Sequence, residues 1–423
     1  MYQFETKCIQ SGYQPENGQP RTLPIYQSTT YKYDDAAALG KLFDLEADGH
    51  MYTRISNPTV AAVEAKIADL EGGVGAMLTS SGQAASFMAI FNISSQGQNF
   101  ISMNNIYGGS INLFSVTMAR MGIEVRYASD DMTDEELEAL FDENTRLVFG
   151  ETVANPALTV LDIERMANMA HRHNVPLIVD NTFTTPFLCR PFEFGADIVT
   201  HSTSKYMDGH ANVVGGCIID GGTFDWEKAG KYPELTEADE SYHGVVYTKQ
   251  FGNAAYITKA RVQLMRDFGC TPQPMTAYLL NLGLETMALR VQRHSENALQ
   301  VAKFLEKQEK VLWVNYPMLE GSKYYDLAKK YLPKGASGVV SFGVRGGREA
   351  AMELMNKLKL AQIVVHVADA RTCVLHPAST THRQLTDEQL KASGIGPEFI
   401  RFSVGIENAA DIIADLEQAL AQI

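Results

Sequence analysis

The sequence has no apolar run of the ~18 residues that a membrane-spanning helix requires, so no membrane span is expected. It also lacks an excess of positive charge: 36 Lys and Arg stand against 50 Asp and Glu, a formal net charge of −14. Nucleic acid and anionic membrane are therefore disfavoured as bulk partners, although a small anion in a local pocket is not. No CxxC pair occurs. The 5 cysteines (Cys8, Cys189, Cys217, Cys270 and Cys373) are odd in number and widely spaced. That pattern argues for reduced thiols in a cytoplasmic protein rather than a disulfide framework. The opening MYQFETKCIQ has neither a basic n-region nor an apolar h-region, so no secretory signal is expected, and the sequon at Asn92 reads as chance. Neither GxGxxG nor GxxxxGK[ST] is present, which removes the usual support for a dinucleotide or nucleoside-triphosphate site. The acidic stretch 130–138 lacks the glycine of a calcium loop and reads as a solvated helix face. His376 and His382 have no evident third ligand, so no metal is expected.

What is present is a chain of 423 residues, 45% hydrophobic and 20% charged, long enough for two or three domains and a large core. Residues 1–60 are rich in Gly, Pro, Gln, Tyr and Thr with little periodicity. They read as an extended arm whose backbone finds partners elsewhere, on another subunit. From 61 the texture changes. AAVEAKIADLE and SGQAASFMAIFNIS are helical; GAMLTS, NFISMN, IEVRYAS, RLVFGET, VPLIVDN and DIVTHS are short apolar runs with helical segments between several of them. This alternation predicts an α/β fold with a mainly parallel sheet covered by helices, over 61–258. Thr133 with Glu136 three residues on is a capping-box signature. From 259 a long helical stretch (278–308) leads to a smaller C-terminal α+β region, with strands at GVVSFGV and FIRFSVG.

The chemistry concentrates around Lys205, in STSKYMDGH, and Asp180, at the end of VPLIVDNT. A lysine that forms a Schiff base needs a carbonyl partner. If that carbonyl belongs to pyridoxal 5′-phosphate, a carboxylate must face the pyridine nitrogen to keep it protonated and electron-withdrawing. Ser80-Ser81-Gly82-Gln83 lies between a strand and a helix, where amides at a helix N-terminus bind anions, though a plain strand-to-helix turn reads the same way. Ser202 and Ser204 add hydroxyl donors beside the lysine. An aldolase-type Schiff-base enzyme would need the lysine but neither the phosphate cradle nor the carboxylate, and a scaffold without cofactor would need none of the three.

The chain resembles the Cys/Met-metabolism PLP-dependent enzymes, the cystathionine γ-synthase-like group. Ordered blocks carry the resemblance almost end to end: YTRISNPT at 52–59, TSSGQAA at 79–85, NIYGGSINLF at 105–114, ETVANP at 151–156, VDNTF at 179–183, HSTSKYMDGH at 201–210, HPASTTH at 376–382 and RFSVGIEN at 401–408. The resemblance implies an aspartate-aminotransferase-like (fold type I) architecture. It also implies a homotetramer of two catalytic dimers. In it Lys205 holds pyridoxal 5′-phosphate covalently and moves protons, Asp180 pairs with the ring nitrogen, and Tyr107 stacks on the ring and assists proton transfer. Gly82, Gln83, Ser202 and Ser204 bind the phosphate, which Tyr52 and Arg54 reach from the neighbouring subunit. Asn155 sits near the 3′-oxygen and Arg401 grips the substrate α-carboxylate.

Taken singly these residues read more plainly. Arg401 would be half of a structural ion pair, Tyr107 a loop aromatic, Asp180 a turn residue and His201 a packing residue. Within the family, methionine γ-lyases typically carry Cys where this chain has Gly109, and cystathionine-cleaving members carry acidic or aromatic side chains for the distal amino acid. The blocks 105–114, 238–247, 251–269 and 376–385 are most similar to O-acetylhomoserine sulfhydrylases, which exchange acetate for sulfide or a small thiol. Methionine γ-lyase and cystathionine γ-lyase or γ-synthase chemistry are the alternatives. His366 departs from the Ser or Asn that relatives often carry near the substrate carboxylate.

Overall fold

The computed structural model describes residues 2–381, 383 and 395–423. The N-terminal region is less extended than its composition predicts. It contains α1 (Phe4–Gln10) and α2 (Ala36–Phe43). Helix α1 buries Cys8 and packs on α3 (Pro58–Glu71) of its own chain, with Lys7 Nζ 2.6 Å from Asp69. Helix α2 is short but capped, the Asp35 carboxylate accepting from the N–H groups of Ala37 and Ala38. Propensity alone did not reveal these helices, because one depends on docking and the other on a cap. Between them the chain is mostly exposed, as an arm would be.

Seven strands follow: β1 (Gly75–Thr79), β2 (Asn99–Met103), β3 (Glu124–Ala128), β4 (Thr145–Glu151), β5 (Leu177–Asp180), β6 (Ile198–His201) and β7 (Gly216–Asp220). They form one sheet in the order β1-β7-β6-β5-β4-β2-β3. The neighbours β6-β5-β4-β2-β3 are parallel, and β7 is antiparallel to both β6 and β1. The central strands are buried on both faces, which is why they read as continuous apolar runs without alternation. β7 (GCIID) escaped the sequence reading. It is a short run directly after a glycine-rich turn, and its partners are set by the sheet rather than by local pattern.

The second sheet contains β8 (Val311–Asn315), β9 (Val339–Val344), β10 (Gln362–Ile363), β11 (Cys373–Leu375) and β12 (Phe399–Ser403), in the order β10-β11-β12-β9-β8. All its pairings are antiparallel except β10 with β11. β9 and β12, buried along their whole length, are the two legible in the sequence; β8 is as long as β12 but mostly half-exposed. The long helical stretch predicted over 278–308 is broken at Thr286, giving helices Pro274–Glu285 and Met287–Leu305. Thr286 leaves helical geometry (φ −109°, ψ 6°), and the Gly283 carbonyl accepts both the Thr286 N–H at 3.3 Å and the Arg290 guanidinium at 2.6 Å. The expected boundary at 258/259 falls within the helical run 255–268, whose first turn packs on β1 and β7.

The capping box at Thr133 is present in both directions, Glu136 N–H to Thr133 Oγ1 at 3.3 Å and Thr133 N–H to the Glu136 carboxylate at 2.8 Å. The acidic stretch is more than a solvated face. Asp130 accepts from Lys323 at 3.2 Å and from the Tyr324 hydroxyl, tying the segment after β3 to the C-terminal region. Among the described residues no helix is long and apolar enough to cross a membrane.

Candidate active site

The candidate residues gather at the carboxyl ends of the parallel strands, where open α/β sheets place their ligands. The end of β1 delivers Ser81, whose hydroxyl caps α4 (Gly82–Phe91) by accepting from Ala84 N–H at 3.1 Å. A Cβ on Gly82 would lie 2.7 Å from the Cβ of Ser202, so only glycine lets the α4 N-terminus come this close to the lysine turn. After β2 comes Tyr107, the residue before α5 (Gly108–Asn112). β4 ends in Glu151, β5 in Asp180, and β6 leads directly into Ser202, Ser204 and Lys205. These residues line one cavity of about 210 Å³ together with Gln83, Asn155 and Arg401.

Charge in the cavity is arranged unusually. Arg401, on β12, is 7% exposed, yet its guanidinium meets only neutral acceptors: Asn155 Oδ1 and the carbonyls of Val365 and His366, each at 3.3 Å. Among the described residues it has no acidic partner. A buried guanidinium without a carboxylate is costly unless a ligand supplies one, and this removes the plain ion-pair reading. Burial lowers Arg401 to about 10. Burial, followed by the charge of Arg401, lowers the Lys205 ammonium to about 8, so an appreciable share is free amine near neutrality. His366 Nδ1 lies 3.3 Å from Lys205 Nζ; burial and then the charge of Lys205 push this imidazole down to about 4. Its other nitrogen, Nε2, is buried without a partner.

Two carboxyl groups face this cationic side. Burial raises Asp180, while the Thr182 hydrogen bond pulls the other way; Thr182 N–H donates to Asp180 Oδ1 at 3.0 Å. A cationic ring nitrogen against Asp180 would offset the burial. Glu151 is Asp180's register neighbour across β4 and β5, and it is raised by burial first and then by the charge of Asp180.

Tyr52 and Arg54 stand apart. Neither lines the cavity of its own chain. Arg54 stacks over the Tyr52 ring at 5.3 Å and donates to the Arg266 carbonyl. Ser204 lines the cavity, but its hydroxyl is engaged with the Gly215 backbone at 2.9 and 3.2 Å. His201 pairs with Glu71 at 2.8 Å in full burial behind the site. His376 has both ring nitrogens occupied, by the Ser379 hydroxyl and the Pro397 carbonyl, each at 2.8 Å; His382 lies outside the described residues. Asn92 is buried, with its side chain on the Tyr256 carbonyl, and cannot accept a glycan in the folded chain.

Two contributors escaped the sequence reading. Glu151 opens the ETVANP block, and its position just after the apolar run RLVFG is a strand-end signal like that of Asp180. Arg290 holds the carbonyls of Tyr206 and Met207 at 2.8 and 3.3 Å and so fixes the turn that carries Lys205. Nothing local in the helix around Arg290 signals that task.

The donor set fits pyridoxal 5′-phosphate. It offers a depressed lysine amine, a carboxyl group on a neighbouring strand end, and a helix N-terminus opened by Gly82 beside Ser202. Comparisons with known proteins agree. A crystal structure of a Campylobacter jejuni protein with N′-pyridoxyl-lysine-5′-monophosphate at its position 205 superposes with a TM-score of 0.95, at 36% identity over 99% of this chain and 100% of that one. Homocysteine synthase of Schizosaccharomyces pombe is 46% identical, covering 99% of this chain and 98% of its own length. O-acetyl-L-homoserine sulfhydrylase 1 of Thermus thermophilus is 45% identical, covering 99% and 100%. The profile of Cys/Met metabolism PLP-dependent enzymes matches residues 5–421, and the chain belongs to that family.

Proposed function

We propose that this protein converts O-acetyl-L-homoserine and sulfide into L-homocysteine and acetate, with a small thiol such as methanethiol able to replace sulfide and give methionine. The observation that carries the reading is the pairing, in one cavity, of a depressed Lys205 amine with a buried Arg401 that has no acidic partner among the described residues. An α-amino acid offers the complement: a carboxylate for Arg401 and an amino group at the distance of one carbon. The full-length similarity to sulfhydrylases and homocysteine synthases supports acetate as the group displaced from Cγ.

Bound through Lys205, pyridoxal 5′-phosphate supplies an electron sink for charge developing at the substrate Cα and Cβ. The protein's residues do the rest. Gly82 and Gln83 hold the phosphate at the α4 N-terminus with Ser202, and Ser204, its hydroxyl tied to Gly215, shapes the turn beside them. Asp180 stands against the ring nitrogen, Tyr107 stacks on the ring and Asn155 reaches the 3′-oxygen. Freed when the substrate's amino group takes its place on the cofactor, the Lys205 amine would remove the proton at Cα and return protons along the chain of the substrate. Arg401 fixes the carboxylate through its planar fork. Tyr52 and Arg54, off the cavity of their own chain, serve the phosphate of a neighbouring subunit in a homotetramer of two catalytic dimers. The arm is 1–60, the cofactor domain 61–258 and the C-terminal domain 259–423, in a cytoplasmic enzyme.

The test is product analysis. Purified protein with pyridoxal 5′-phosphate and O-acetyl-L-homoserine should form homocysteine and acetate only when sulfide is present. Sulfide-independent formation of 2-oxobutyrate and ammonia as the main products would reject replacement in favour of elimination.

A further inference from the structure

Glu151 has no part in the roles assigned so far, yet it is the group on which they converge. Its carboxylate is 9% exposed and stands at the end of β4. One oxygen accepts from Tyr107 N–H at 2.7 Å, the other from Asn155 N–H at 3.2 Å. The two donors belong to different loops, one following β2 and one following β4. Asn155 in turn accepts from Arg401 through its side-chain oxygen. Glu151 also lines a second cavity of about 200 Å³ on its far side, beside Asp130, Arg165 and Lys323. It is therefore a partition with space on both sides, and its two hydrogen bonds are what fix it in the wall.

We propose that Glu151 is a positioning residue, a two-armed brace that sets Tyr107 and Asn155 together and, through Asn155, aligns Arg401 with the cofactor ring. The inference rests on the roles given to those three residues under the proposed function. The chemistry of the side chain explains why a carboxylate is needed. As the carboxylate, the form that the Tyr107 and Asn155 donors favour against burial and the charge of Asp180, it has two oxygens, both acceptors, pointing in two directions. A glutamine of the same shape has a single oxygen. Whichever way its amide turns, one of the two backbone N–H groups faces another donor. Glu151→Gln must therefore release either the Tyr107 loop or the Asn155 loop while hardly changing volume. Glu151→Asp keeps both oxygens but is one methylene too short to span both loops.

Glu151→Gln, loaded with pyridoxal 5′-phosphate, is read by visible circular dichroism of the bound cofactor, by kcat and KM, and by thermal unfolding. Asp197→Asn is the control. Asp197 is also a buried carboxylate that accepts a strand N–H, from Leu177 at 2.8 Å, but it lies off the cavity. The expected result is a visible dichroism band of Glu151→Gln changed in sign or at least halved. Its kcat/KM for O-acetyl-L-homoserine should fall about 10- to 100-fold, with kcat affected more than KM, as small misplacements of reacting groups do. Asp197→Asn should lose thermal stability with its dichroism unchanged. Wild-type dichroism and kinetics in Glu151→Gln would overturn the proposal, as would a change that Asp197→Asn reproduces in full. Should Glu151→Gln fail to fold, Glu151→Asp is read by the same criteria. The dichroism needs no substrate, so it decides the role of Glu151 even if the wild type does not turn over O-acetyl-L-homoserine.

Discussion

The amine of Lys205 lies 3.3 Å from Nδ1 of His366, in a cavity it shares with the Arg401 guanidinium. Burial and that charge hold the amine at about 8. The sign follows directly: below this pH the lysine is a cation and cannot attack a carbonyl, and above it the amine is free. The rate at which apoprotein captures pyridoxal 5′-phosphate at Lys205, followed by visible absorbance, should rise with pH through an inflection near 8. An inflection near the ordinary lysine value of ~10.4 would contradict this environment.

Arg401 is buried without an acid partner among the described residues, so its removal should hurt binding and spare the fold. Arg401→Met should lower kcat/KM for O-acetyl-L-homoserine by at least about 100-fold, the loss of a charge-assisted bidentate contact. Its melting temperature should be unchanged or higher, because an uncompensated buried charge has gone. Arg401→Lys should raise KM by about tenfold, since an ammonium cannot reproduce the fork. Steady-state kinetics and thermal melts check both. A melt lowered by many degrees with normal kinetics would make Arg401 structural.

Tyr52 and Arg54 lie away from the cavity of their own chain. If they complete a neighbour's site, Arg54→Ala and Lys205→Ala are each inactive alone but complement each other when mixed. One site of every hybrid dimer has both residues intact, so random exchange should restore about a quarter of wild-type activity. No recovery, with exchange demonstrated by mass spectrometry, would place the whole site in one chain.

Gly109 sits under the Tyr107 ring. A Cβ there would lie 2.4 Å from Tyr107 Cε1, so the ring would have to move. Its backbone is not in the left-handed region, and alanine would favour the α5 helix by ~1 kcal/mol; the demand for glycine comes from the ring. Gly109→Cys should shift products from homocysteine towards 2-oxobutyrate, with KM changing less than the product ratio. Methionine should remain a poor substrate for the wild type. An unchanged ratio in Gly109→Cys would show that this position does not set it.

Most of the sheet was legible as short apolar runs, the partly exposed β3 included, while the fully buried β7 was not; the site was legible where its residues sit in contiguous motifs. Lys205, Asp180 and Gly82 each stand at the junction of an apolar run and a turn, a local signal. Glu151 stands at the same kind of junction and was passed over, because its partners are backbone N–H groups that no motif records. Arg290 was invisible for a different reason: it reaches the Lys205 turn from a helix in the C-terminal half, and only packing brings the two together. α1 depends on docking against α3, and the break at Thr286 on a guanidinium that takes one carbonyl; neither leaves a pattern in sequence.

The account stands most directly on the covalent site. Protein loaded with pyridoxal 5′-phosphate should be yellow, and borohydride reduction followed by peptide mapping should place the pyridoxyl group on Lys205. Lys205→Ala should carry none there and should lose turnover by more than about 10³-fold, because the attachment point and the proton carrier go together. Label on another lysine, or a Lys205→Ala variant that retains turnover within about tenfold of wild type, would contradict it.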